Sequence, residues 1–227
     1  MRLFASSLQY RLIEARLARS YATTFLACHE DARTLGRRSG GATGVRPNWV
    51  PDPGAQQARA IGDRLSLLFV GSLDYFPNEE AARFIVQSLV PRLRDALALP
   101  FHVTIVGRGA SPALTDLLAT CPEVDCRPDA EELTSLYEPA DIVLVPLWSG
   151  GGTKLKTLEA LAHACTVIAT PEGVRGLSVK PSQHFLAADG ATEFTSAIAR
   201  LANGEIDGIE VAGAGRRFWE ANHRLLP

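Results

Sequence analysis

The 227-residue sequence is poor in the devices that usually announce a specialised chemistry. Its four cysteines, Cys28, Cys121, Cys126 and Cys165, form no Cys-x-x-Cys pair and have no histidine at ligand spacing beside them. That argues against a thiolate metal site or a disulfide framework and suits reduced thiols in a cytoplasmic protein. No apolar run approaches the roughly eighteen residues of a spanning helix. Arginines break each apolar run near the N-terminus, so no signal peptide is read there. The first strand is not followed by Gly-x-Gly-x-x-Gly, nor by an acid about twenty residues on, which argues against a dinucleotide-dependent dehydrogenase. There is no Asp-x-Asp pair, so no divalent metal is implied. The histidines, at 29, 102, 163, 184 and 223, are scattered, and none belongs to a Ser-His-Asp order with a nucleophile elbow.

Charge of one sign is scarce overall, with a net of −2, and a nucleic-acid partner is not expected. The distribution is uneven. Residues 1–50 hold eight basic side chains (Arg2, Arg11, Arg16, Arg19, Arg33, Arg37, Arg38, Arg46) against three acidic ones (Glu14, Glu30, Asp31). Such a segment suits peripheral contact with an anionic membrane face or with an acidic protein surface. The apolar fraction, 46%, is enough for a real core.

What is present is a regular alternation of buried strands and amphipathic helices from Leu65 onward, which predicts an α/β fold with a parallel sheet covered by helices on both faces. Strands are expected at 65–71, 101–106, 124–127, 142–145, 166–170 and 184–187. Helices are expected at 77–88, from Pro91 to 97, from Ser111 or Pro112 to 120, at 130–138, and at 191–201 with Asp189 as cap. Residues 204–213 read as a loop and 215–226 as a final helix. Before this block, residues 4–20 predict an amphipathic helix with Phe4, Leu8, Leu12, Ile13 and Leu17 on its apolar face. A short strand at 23–28, a helix at 30–38 ended by Gly40-Gly41, an extended 45–48 and a turn at Pro51-Asp52-Pro53-Gly54 follow.

The rest of the chain reads as support for residues 141–177, DIVLVPLWSGGGTKLKTLEALAHACTVIATPEGVRGL. A buried strand ends at Pro146. Gly150, Gly151 and Gly152 form a loop, Thr153 is the expected helix cap, and a second buried strand leads to a second glycine loop, 173–176. A helix start carries unpaired amides and positive dipole charge, and glycines let an anion approach them. Lys154 and Lys156, in the expected first turn, are poorly placed for the helix unless an anion sits there. Glu159, three residues after Lys156 on the same face, is placed to accept two sugar hydroxyls. The alternative is a flexible turn with a surface Lys–Glu pair.

The strings GGGTKLKTLEALA and TVIATPEGVRGL resemble the donor-binding half of a retaining, nucleotide-sugar-dependent glycosyltransferase of family 4, in the two-domain Rossmann-like architecture called GT-B. LLFVGSLDYFPNEEAARF resembles the opening strand and helix of the same half, and the likeness runs from about Leu65 to Leu201. It implies a UDP-sugar or GDP-sugar donor, no cofactor, and a glycan or lipid-linked acceptor held by an N-terminal half, with cell-surface polysaccharide synthesis as the setting. On this resemblance residues 1–54 are the closing elements of that N-terminal half and the linker, 55–212 the donor domain and 213–227 a C-terminal helix. The chain is then expected to be truncated and inactive alone; the alternative is that 1–54 form an extra helical arm.

The resemblance also implies site residues. Gly71 and Ser72 would wall the donor, Arg108 would approach the nucleotide, and Arg127, with Pro128 and Asp129, would lie at the nucleobase. The loop from Gly150 to Thr153, with Lys154 and Lys156, would hold the diphosphate, and Glu159 the ribose. Glu172 and Arg175 would border the cleft. Two departures stand out. The family usually places an arginine and a lysine in or just after the Gly71-Ser72 loop, and none is present up to Asn78. Its first glutamate falls on Gly151. No catalytic base is identified. A different reading, a non-catalytic GT-B-like partner or regulatory subunit, draws on both departures.

Overall fold

The structure, a computed structural model, describes residues 2–128 and 134–224. It divides into two compact units, Met1–Asn48 and Trp49–Pro227. The first unit is α1 (Arg2–Ala18), β1 (Thr24–Leu26), α2 (His29–Ser39) and β2 (Thr43–Val45), with β1 and β2 parallel. The strand β2 shares only Val45 with the extended stretch expected at 45–48; its register sets Thr24 beside Thr43 and Leu26 beside Val45. The amphipathic expectation for α1 is corrected. Ala15 and Ala18 are its buried positions among the described side chains, while Leu12, Ile13 and Leu17 are each more than half exposed; Phe4 and Leu8 lie outside the described side chains.

The second unit holds six parallel strands: β3 (Leu65–Val70), β4 (Phe101–Val106), β5 (Val124–Arg127), β6 (Ile142–Val145), β7 (Thr166–Ala169) and β8 (Leu186–Ala187). Their order across the sheet is β5-β4-β3-β6-β7-β8. The chain therefore winds outward from β3 in one direction and from β6 in the other. Where those directions part, the loops leaving β3 and β6 diverge and open a crevice at the carboxyl ends of the strands. All four residues of β6 and all four of β7 are buried, as strands covered on both faces must be. Helices α3 (Phe76–Phe84), α4 (Val90–Ala96), α5 (Pro112–Ala119), α6 (Thr134–Tyr137), α7 (Leu155–Ala162), α8 (Ala191–Ala202) and α9 (Gly208–Asn222) cover the sheet.

Three local readings change. The two helices expected on either side of Pro91 are one continuous helical run, because a π-helical turn, Ile85–Leu89, joins α3 to α4. The Val90 amide reaches back to the Ile85 carbonyl, and this shift of register accommodates a proline that has no amide of its own. The last strand is only Leu186–Ala187. The final helix starts earlier than expected, at Gly208, because the Asp207 carboxylate caps it by accepting the Glu210 amide at 3.0 Å. Gly213, placed at the end of the expected loop, lies inside it; a Cβ on Gly215 would come within 2.6 Å of Leu161 and 2.9 Å of the His184 carbonyl, so glycine permits close packing of α9 on α7. Of the helix expected at 130–138, only Thr134–Tyr137 is described, and Asp129 lies outside the described residues.

Arg216 of α9 fastens this unit from within. It is 9% exposed and donates to the Ala162 carbonyl at the end of α7, to Glu220 at 2.8 Å, to the Gly54 carbonyl at 3.0 Å and to Asp52 at 3.2 Å. The expected linker turn at 51–54 is thereby tied to the second unit.

Candidate functional site

The crevice side of the sheet begins with three loops joined by main-chain bonds. The Gly71 amide donates to the Val106 carbonyl at 2.9 Å, Leu73 to Arg108 at 2.7 Å, and Gly107 to Arg127 at 3.0 Å. The loops after β3, β4 and β5 thus form one wall. The approach is so close that a Cβ on Gly107 would lie 1.8 Å from the Gly71 carbonyl oxygen. Gly71 and Ser72 are half-buried in this wall. Arg108 is an exposed loop arginine, and Arg127 is also exposed, with its guanidinium paired to Asp125 at 2.8 Å.

The loop after β6 faces this wall. Gly150 and Gly152 take positive φ, 112° and 73°, which the turn from strand to helix requires. Gly150 sits near the wall, since a Cβ there would be 3.1 Å from the Tyr75 hydroxyl. Two hydroxyls in this loop, Ser149 Oγ and Thr153 Oγ1, are shielded from solvent yet have no protein partner among the described residues. A shielded hydroxyl without a bond is costly, and such groups mark places where a ligand or ordered water completes the structure. The expected cap at Thr153 is corrected by the same observation: α7 starts at Leu155, Lys154 is its N-cap residue, and Thr153 Oγ1 accepts no helix amide. Asp189 likewise is not the cap of α8, which is Gly190; its carboxylate instead accepts the Trp148 indole N–H at 2.8 Å.

The two lysines part company. Lys154 is 6% exposed, and its ammonium donates to the Gly150 carbonyl at 2.8 Å and pairs with Glu172 at 2.8 Å. It clasps the loop after β6 to the turn after β7 instead of presenting a free charge. Glu172 also holds Arg175 at 3.2 Å. That second glycine turn is anchored as well: Thr157 of α7 donates to the Gly173 carbonyl at 2.7 Å, the Gly173 amide to Thr170 Oγ1 at 3.0 Å, and the Thr170 hydroxyl to the Leu147 carbonyl.

Lys156 points across the crevice to the β3 side. Its Nζ donates to Asn78 Oδ1 at 2.6 Å and stands 4.5 Å from the centre of the buried Phe69 ring. A Cβ on Gly71 would be only 2.6 Å from it. Burial pushes the Lys156 ammonium down to about 7; the Glu159 charge opposes this and the Lys154 charge adds to it. Glu159, half-buried on the same face of α7, accepts the Tyr137 hydroxyl on Oε2 at 3.2 Å. Burial raises its pKa, while the Tyr137 bond and the Lys156 charge pull it back. Tyr137 stacks on His163 at 4.5 Å, and His163 Nδ1 lies 2.8 Å from the Glu159 carbonyl; a carbonyl only accepts, so Nδ1 carries the proton.

The sequence reading brought together the two glycine loops, the two lysines and Glu159. It missed Asn78 and Tyr137. Asn78 follows a helix-starting proline, where an asparagine reads as local cap chemistry, and its real partner is 78 residues away. Tyr137 reads as one more apolar position of a short helix.

The model of the family described as glycosyl transferases group 1 matches residues 64–204. No curated protein matches the chain in sequence. Among solved structures, a glycosyltransferase from Rickettsia africae superposes with a TM-score of 0.71 at 14% identity, over 88% of this chain and 59% of its own. HepE of Anabaena, solved with UDP and glucose, gives 0.74 at 11% identity, over 94% of this chain and 62% of its own. The C-terminal domain of the group 1 family protein LpcC from Francisella tularensis gives 0.52 at 14% identity, over 75% of this chain and 89% of its own. The chain thus spans about three fifths of the length of the first two. These likenesses establish the fold, the Rossmann-like half of a GT-B glycosyltransferase.

Proposed function

Because this chain belongs to the glycosyl transferases of group 1, we propose that its second unit binds the diphosphate of a UDP-sugar or GDP-sugar for retaining glycosyl transfer that needs no divalent metal. The setting we propose is the synthesis of cell-surface glycan, at the cytoplasmic side. The acceptor, a glycan or lipid-linked saccharide, falls on this reading to an N-terminal half, with residues 1–54 as its closing elements and the linker to the donor domain.

One observation carries the reading. At the switch point of the sheet, the Lys156 ammonium stands over Gly71 at the end of β3, and the loop after β6 carries two shielded hydroxyls, Ser149 and Thr153, with no protein partner among the described residues. On this reading an anion supplies Lys156 with a counter-charge and the loop hydroxyls with a partner. When the bond between sugar and diphosphate breaks, negative charge grows on the departing phosphate oxygens. Lys156 and the amides of the Gly150–Thr153 loop are fixed in advance to receive it, which is the usual origin of rate enhancement in such sites. Glu159 holds the ribose with the oxygen that Tyr137 leaves free. Arg108 and Arg127 stand at the rim on the β4 and β5 side, where the base would lie. That HepE was solved with UDP supports this assignment by likeness of fold.

The test is a melting-temperature and calorimetry panel of UDP, GDP and their sugars. One nucleoside diphosphate raises the melting temperature, as a ligand specific to the native state must. Lys156→Ala and Glu159→Ala reduce the shift, and a chelator leaves it unchanged. No shift with any of these ligands overturns the reading. Gly151, standing where the family has its first glutamate, favours a second reading, a non-catalytic partner subunit. Measurable sugar transfer by the chain together with an acceptor-side half excludes that alternative.

A further inference from the structure

The loop that leaves β3 has no basic residue of its own from Gly71 to Asn78. The structure nonetheless delivers a cation to it. The Lys156 ammonium, carried by α7, occupies the space over Gly71 that a side chain would fill. What holds it there is Asn78, 7% exposed on α3. Asn78 faces two ways: Oδ1 accepts from Lys156 at 2.6 Å, and Nδ2 donates to the Ser72 carbonyl at 2.8 Å. Asn78 Oδ1 is the one hydrogen-bond acceptor the ammonium has among the described residues. The charged groups that act on it are Glu159, on its own helix, and Lys154, at the start of that helix.

Resting on the function proposed above, we propose that Asn78 is the positioning residue of the diphosphate site, holding the Lys156 ammonium at the mouth of the β3–α3 loop through a neutral acceptor. The choice of an amide is what makes this work. A carboxylate at 78 would bind the ammonium harder, but it would cancel the charge that an incoming anion needs. An apolar side chain would leave the half-buried Lys156 with no acceptor for its ammonium among the described residues, which favours the neutral amine. An amide oxygen satisfies one of the three N–H groups and adds no net charge, so two remain for phosphate oxygens. Its second bond, to Ser72, fixes the amide's orientation, because the carbonyl can only accept and so selects Nδ2 for that side.

The experiment uses inorganic pyrophosphate, UDP and uridine with the full chain and Asn78→Asp, a nearly isosteric change. Pyrophosphate needs no assumption about the base, and uridine carries no phosphate. We expect Asn78→Asp to weaken pyrophosphate and UDP binding roughly ten-fold or more, the scale of one bond to a charged group. Uridine binding should stay within a few-fold, as measured by calorimetry. In the ligand-free protein, the titration of Lys156, followed by NMR of carbon-labelled lysine, should move to higher pH in Asn78→Asp, because a carboxylate favours the charged amine. If Asn78→Asp does not fold, Asn78→Ala replaces it. It should then bind pyrophosphate as weakly as Lys156→Ala, and the double variant should be no weaker than either. A wild-type protein that binds UDP or pyrophosphate but loses nothing in Asn78→Asp overturns this role alone. Equal loss of uridine and pyrophosphate binding makes Asn78 a structural residue and also overturns it. A wild-type protein that binds none of UDP, GDP and pyrophosphate overturns the proposed function, and this role with it.

Discussion

The Tyr137 hydroxyl donates to Glu159 Oε2 across 3.2 Å, from a ring that is 1% exposed. The bond joins the short helix before β6 to the helix that carries the candidate ribose acceptor. Burial and the neighbouring Glu159 charge hold the Tyr137 phenol well above its ordinary pKa, so it remains a donor at any pH the protein meets. Removing only the hydroxyl, in Tyr137→Phe, should cost about 1 kcal/mol of stability in urea unfolding, the net worth of a typical internal hydrogen bond. Combined with Glu159→Gln, the loss should be smaller than the sum of the single losses, since both changes act on one bond. Additive losses would show that the two side chains do not depend on each other.

Lys156 should make the stability of the fold depend on pH in a particular direction. Its ordinary pKa is 10.5, and burial brings it to about 7 in the native chain. Below about 7 both states hold the proton, and the native state bears the full cost of burying a charge. Between that value and 10.5 the native amine is neutral while the unfolded one is still charged. The unfolded state then binds more protons, so stability rises with pH across the window. The gain should be on the order of a few kcal/mol. Urea unfolding between pH 6 and 9 checks it: the wild type should gain stability relative to Lys156→Met, and parallel profiles would count against a neutral native lysine. Anion binding near neutral pH should correspondingly take up a proton, seen as a dependence of calorimetric heat on the buffer's ionisation enthalpy.

Much of this arrangement is legible in the chain itself, for physical reasons. Strands covered on both faces, such as Ile142–Val145, have no polar alternation and stand out as apolar blocks. The Gly150–Gly152 loop marks the turn from strand to helix, because positive φ is needed there. What the sequence conceals is set by distant packing. Nothing around Lys154 and Lys156 distinguishes them; only Glu172 and Asn78, brought in by other loops, make one a clasp and the other a cation at the wall. The π turn before Pro91 and the early start of α9 are similar cases, in which a proline or glycine that breaks a helix in isolation is accommodated by the fold.

Arg216 tests how the linker turn is held. It gathers Asp52, the Gly54 carbonyl, the Ala162 carbonyl and Glu220 around one buried guanidinium. Arg216→Met keeps much of the apolar stem but leaves Asp52 with one cation fewer and the Ala162 carbonyl without its donor. We expect a loss of about 3 kcal/mol in urea unfolding, as for breaking a buried pair from one side. Arg216→Lys should recover only part of it, because an ammonium cannot span four acceptors in the planar fork geometry. A loss below about 0.5 kcal/mol, the scale of ordinary surface changes, would mean that the cluster contributes little.

Gly151 differs from its two neighbours in being replaceable. Its φ is not in the left-handed range, and a Cβ placed on it meets no atom within 4 Å. Glycine is therefore not required there by the turn, and nothing steric keeps out the acid that the resemblance implies at this position. Gly151→Glu should change stability by no more than about 0.5 kcal/mol. On the proposed function it restores a carboxylate beside the donor sugar. The affinity for the preferred nucleotide-sugar, relative to its parent nucleoside diphosphate, should then rise roughly ten-fold, the scale of one hydrogen bond to a charged group. Calorimetry with matched pairs, UDP against UDP-sugars and GDP against GDP-sugars, measures that ratio directly. A stable variant in which the ratio does not move would place the sugar away from this loop.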